Sequence, residues 1–131
     1  MKRFNKKAEA LWLDKIVADY KVIEVEPGTC RYNYQCCHNA INDAIKNGDK
    51  KIAVCFYDDG NTVTLHFINY HKGKFIDNTL GYWSTHQKYY FYRWIESDQF
   101  GKETIDIFRS IRRKFNKMIP WYWRFLVKNE V

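Results

Sequence analysis

Little in this sequence would break the chain into parts or stitch it covalently. Two prolines and six glycines in 131 residues leave no flexible linker, and no repeat or low-complexity stretch divides the chain. No apolar run reaches the roughly 18 residues that a membrane span needs. A secretory leader is not evident either: Met1–Lys7 is basic, but Glu9, Asp14, Lys15 and Asp19 interrupt the stretch that follows. The expected setting is therefore the cytoplasm of the producing cell, where cysteines stay reduced. Zinc-type spacings are missing among Cys30, Cys36, Cys37, His38 and Cys55, and there is no Gly-rich phosphate loop. No metal or cofactor is expected.

What is present is a core. Hydrophobic residues make up 46% and aromatic residues 18%, enough for one globular domain over residues 1–131. The net charge is +7, and it is unevenly spread. Lys2, Arg3, Lys6 and Lys7 load one end; residues 102–131 hold eight basic and three acidic side chains. The tail mixes Arg112, Arg113, Lys114, Lys117 and Arg124 with Trp121, Tyr122 and Trp123. Basic groups hold phosphates and aromatic faces stack bases, so an anionic partner such as nucleic acid fits this segment. A solvated helix face explains the same charges.

Periodicity predicts an α+β order. Leu11, Trp12, Ile16 and Val17 mark a helix over Ala8–Tyr20, and Cys37, Ile41, Ala44 and Ile45 the inner stripe of a second over Cys36–Asn47. Lys51–Tyr57, Thr62–Tyr70, Phe75–Asn78 and Tyr89–Ile95 read as strands of an antiparallel meander. Thr104–Met118 reads as a C-terminal helix with Ile105, Phe108, Ile111, Phe115 and Met118 on one side.

The chemistry lies in the centre. A cysteine nucleophile works as thiolate, which a helix N-terminus favours; Cys36 and Cys37 stand at the predicted start of the second helix. Alternation puts His66 on the face of its strand opposite Val63, Leu65 and Phe67. With Lys72-Gly73 as a two-residue hairpin loop, Tyr70 faces Phe75 and Asp77 falls on the His66 side, one diagonal away. A loop one residue longer would put Asn78 there instead. Asp or Asn would orient the imidazole. Cys36 is the preferred nucleophile, Cys37 the alternative. The Gln35 side chain or the first backbone N–H groups of the helix would serve an oxyanion. Asn69 and Trp83 are expected at the substrate wall. The plain alternative is that both helix cysteines are core residues.

Three pieces carry a resemblance: Tyr34-Gln35-Cys36-Cys37-His38-Asn39-Ala40, then Leu65-His66-Phe67-Ile68-Asn69-Tyr70, then Gly73-Lys74-Phe75-Ile76-Asp77-Asn78-Thr79-Leu80-Gly81. Their order resembles papain-like and transglutaminase-like cysteine enzymes, in which a Cys opens a helix and a His and an Asp follow on strands. The chain also resembles small phage and prophage proteins that share the Cys-x-x-Asn-Ala and Asp-Asn-Thr-Leu-Gly pieces. The resemblance implies a papain-like core, Cys36 as nucleophile, His66 as base and Asp77 as orienter. It also implies attack on an acyl or amide carbon of a protein or peptide substrate: hydrolysis, deamidation or transfer. The competing expectation is a non-catalytic phage-type protein that binds a host protein or nucleic acid through its basic aromatic ends.

Overall fold

The computed structural model describes residues 2–31, 33, 35–60 and 62–119. Tyr32, Tyr34 and Asn61, and the aromatic tail at Trp121–Val127, lie outside the described residues. Among the described residues, three helices, α1 (Lys2–Asp19), α2 (Cys36–Asn47) and α3 (Phe100–Met118), accompany six strands: β1 (Val22–Ile23), β2 (Val25–Pro27), β3 (Lys51–Asp58), β4 (Val63–His71), β5 (Lys74–Asp77) and β6 (Lys88–Glu96). Among the described residues, no helix is long and apolar enough to cross a membrane.

The sheet runs β1-β6-β3-β4-β5-β2, antiparallel throughout except that β2 runs parallel to β5. The expected meander therefore holds only through β5. The chain then returns through a 3₁₀ turn at Gly81–His86 and pairs β6 with β3 on the far side. Six strands laid flat would hold their edges roughly 24 Å apart at ~4.8 Å per strand. Yet β1 and β2, the two edges, are separated by Glu24 alone, which allows no more than ~7 Å. The sheet is therefore curled, and residues 22–27 form one staple that pairs with β6 at one end and β5 at the other.

Curling gives the molecule two apolar compartments. Ala53, Cys55, Ile68 and Tyr89, with Ile23, Val25, Phe75, Phe91 and Trp94 against them, fill the concave side. The convex side carries Ile52, Val54, Phe56, Leu65 and Phe67 and is covered by the helices through Trp12 and Ile16, Ala40 and Ala44, and Ile107, Ile111 and Phe115. Phe56 meets Trp12 and Tyr92 edge-on, with centroids at 5.7 and 5.3 Å.

The predicted stripes hold at Trp12, Ile16, Ala44, Ile111 and Phe115, which are buried, and miss at their margins. Leu11, Val17, Ile45, Ile105 and Phe108 are exposed. Each helix turns toward the sheet the residues spaced four apart: Ala8-Trp12-Ile16 in α1, Cys36-Ala40-Ala44 in α2, Ile107-Ile111-Phe115 in α3. Periodicity locates a helix more firmly than the centre of its buried arc, because neighbouring apolar residues compete for that arc.

Candidate active site

Lys72 and Gly73 both have positive φ (50° and 78°), the backbone of a two-residue hairpin turn whose twist matches its strands. That turn fixes the register Tyr70 to Phe75, and with it the face on which Asp77 lies. The result is direct: His66 Nε2 stands 2.8 Å from Asp77 Oδ2, with both side chains almost wholly buried. Asp77 is fully engaged. Its Oδ1 accepts the backbone N–H of Thr79 and of Leu80, each at 2.9 Å, and its Oδ2 also accepts the hydroxyl of Tyr89 at 2.6 Å. Burial alone would push this carboxyl up, but the His66 contact and the other donors overcome it and hold the pKa below the ordinary value.

An ionised carboxylate only accepts, so Nε2 carries the proton and Nδ1 is left for another partner. Cys36, at the first turn of α2, lies near enough to His66 for each group to shift the titration of the other. No acidic residue stands in that turn, so the N–H groups there favour the thiolate without competition. The Cys36 pKa is lowered to about 4, first by the hydrogen bond from Cys37 and then, against burial, by His66 and the backbone at Phe67. His66 is raised to about 9: burial opposes its charge, but Asp77 and Cys36 outweigh that opposition. Cys37 is shifted upward, as the proton donor to its neighbour, and remains a thiol. The arrangement sets a half-buried cysteine, a buried imidazole and a buried carboxylate in series, each shifted toward its charged form.

The other predicted positions separate. Asn78 does not reach His66; its Oδ1 accepts the Thr29 N–H and its amide donates to Asn69. Asn69 is buried rather than at a wall, since it lies on the convex face and donates to the Ala40 carbonyl of α2 at 2.8 Å. Gln35 is exposed and caps nothing with its side chain; its carbonyl receives the Asn39 N–H that opens the helix. Trp83 is half-exposed in the 3₁₀ turn, in contact with Tyr82 and His86.

A polar frame that spacing did not reveal holds α2 against the sheet. Asn39 donates to Thr79 Oγ1 at 2.8 Å, tying together the two sequence pieces that open the helix and follow Asp77. Arg31 makes a two-pronged pair with Asp43 at 2.6 and 3.0 Å and also donates to the Asn78 carbonyl. Gly81, at φ +55°, passes so close to Cys30 that a Cβ there would lie 2.6 Å from the Cys30 Cβ. The rings of Tyr57 and His66 meet nearly at right angles with centroids 5.0 Å apart, and Cys55, buried behind, donates to the His66 carbonyl. Among the described residues no group of three or more His, Cys, Asp or Glu side chains could hold a metal ion. No family model, curated protein or solved structure matches this chain.

Proposed function

We propose that this chain is a cysteine-nucleophile hydrolase or acyltransferase of papain-like type that acts on an acyl or amide carbon of a protein or peptide. The observation that carries the reading is the buried His66–Asp77 pair, its carboxylate saturated by donors, beside a half-buried Cys36 at a helix N-terminus whose pKa the imidazole helps to lower.

The chemistry follows from the protonation states. Cys36 thiolate attacks the carbonyl carbon, and the carbonyl oxygen takes the negative charge. The N–H groups of Cys36 and Cys37, without acceptors inside the helix, and the exposed Gln35 amide are the available donors for it. As the tetrahedral species collapses, His66 gives its Nδ1 proton to the departing amine, leaving a thioester on Cys36. Water or an amine then attacks the thioester while His66 takes a proton back; water completes hydrolysis or deamidation, and an amine completes transfer. Asp77 keeps its charge throughout and holds the ring.

The test is iodoacetamide labelling of each cysteine as a function of pH, read by peptide mass spectrometry. Cys36 is expected to label well below pH 7, and His66→Ala to return its apparent pKa toward about 8.5. If Cys36 labels in the native protein no faster at low pH than an ordinary thiol, the enzyme reading is wrong.

A second reading draws on α3. Ile105 and Phe108 are exposed beside Arg109, Arg112 and Arg113 and line a groove of about 650 Å³. Here the chain binds an anionic partner, nucleic acid included, and Cys36→Ala leaves that binding intact.

A further inference from the structure

Asp77 Oδ2 serves two donors at once, His66 Nε2 and the hydroxyl of Tyr89. Tyr89 gets there because of an irregularity in the sheet. The pairing of β3 with β6 shifts between Val54 and Cys55: Val54 faces Arg93, but Cys55 faces Phe91. In regular register Tyr57 would face Tyr90, and Tyr89 would point to the helices. The extra residue reverses that parity, so Tyr57 faces Tyr89 and the Tyr89 ring enters the concave side beside His66. A bulge that re-aims one side chain toward a reacting group is a device, not a packing accident.

We propose that Tyr89 is a positioning residue for this site: its hydroxyl fixes Asp77 Oδ2 and tempers the grip of that oxygen on the His66 proton. The inference rests on the cysteine-enzyme reading. The carboxylate is buried at both oxygens, so a donor removed from Oδ2 is not replaced by bulk water. With one donor fewer, Oδ2 concentrates its charge on Nε2–H, and the imidazolium keeps its proton to higher pH. Tyr57 also packs on the imidazole, with ring centroids 5.0 Å apart, but Asp77 Oδ2 takes its hydrogen bonds from His66 and Tyr89.

The experiment is the titration of His66 by ring-nitrogen NMR in the native protein and in Tyr89→Phe, with Cys36 labelling followed in parallel. Tyr89→Phe is expected to raise the His66 midpoint by about half a unit to one unit, part of what a hydrogen bond to a charged group contributes. Tyr57→Phe is expected to leave it unchanged. Replacing Tyr89 alone with 3,5-difluorotyrosine, a stronger donor of the same shape, is expected to move the midpoint down, and it decides the matter if the Phe variant does not fold. Native His66 titrating high with Cys36 low, but no movement in either Tyr89 variant, would overturn the role of Tyr89 alone. Native His66 near 6.5 with Cys36 near 8.5 would overturn the paired thiolate and the Tyr89 role together.

Discussion

At the residue scale, the two unusual ionisations act on stability in opposite directions. Folded Cys36 has lost a proton that the unfolded chain keeps up to its ordinary pKa of 9.0. It therefore contributes stability that is fully present above that value and is lost as pH falls through about 4. Folded His66 keeps a proton that the unfolded chain releases at 6.5; its contribution is full below 6.5 and is lost as pH rises through about 9. Between pH 4 and 6.5 only the cysteine is unequal between the two states, so stability from this pair rises with pH. From 6.5 to 9 the two slopes cancel. Urea unfolding midpoints are expected to show a rise and then a plateau. In Cys36→Ser the plateau becomes a decline, because Asp77 still holds His66 charged while nothing offsets it.

The same scale separates the two adjacent thiols. Sequence pattern puts Cys37 on the inward stripe, and both Cys36 and Cys37 pack partly buried against the helix-side core, with Cys36 the one whose pKa His66 lowers. Cys37 contributes by donating its hydrogen bond, which is why it is shifted up while its neighbour is shifted down.

At the scale of elements, the site is a junction between α2 and the hairpin β4–β5, and its geometry depends on how firmly those parts are joined. Asn39, one turn beyond Cys36, spans them: it is buried, donates to Thr79 Oγ1, and exchanges contacts with Asn33. Asn39→Ala strands a buried hydroxyl and is expected to cost about 1–3 kcal/mol, read by chemical denaturation. It is also expected to slow Cys36 labelling at pH 6, since the first turn of α2 is no longer held to the loop after Asp77. Asn69, joined to the Ala40 carbonyl and to Asn78, is a second tie of the same kind. The site thus rests on two asparagines from two elements, neither of which touches a reacting atom.

At the scale of the whole molecule, the curled sheet lets a short chain own two packed compartments, with the buried His66–Asp77 pair on its concave side. The helix-side core is the larger, and Phe56 is its hub, with no exposure and ring contacts to Trp12, Tyr20 and Tyr92. Phe56→Ala is expected to cost about 3–5 kcal/mol, visible as a lowered urea midpoint with an unchanged slope.

Which parts were legible beforehand follows from range. Helices and strands were readable because a 3.6- or 2-residue period is a local property, and the His66–Asp77 pairing because a two-residue turn transmits register between adjacent strands. The sequence by itself therefore determined the three helices and the strands β3 to β6, the face on which His66 and Asp77 meet, and a cysteine at a helix start. Tertiary structure alone decided the rest. The return of β6 to β3, the staple at residues 22–27 that curls the sheet, and the bulge that turns Tyr89 inward all depend on contacts between residues far apart in the chain. So does the arc of α2 that packs on the sheet through Ala40 and Ala44. No local period encodes such contacts; they are selected by the burial and hydrogen bonding that the closed fold makes possible.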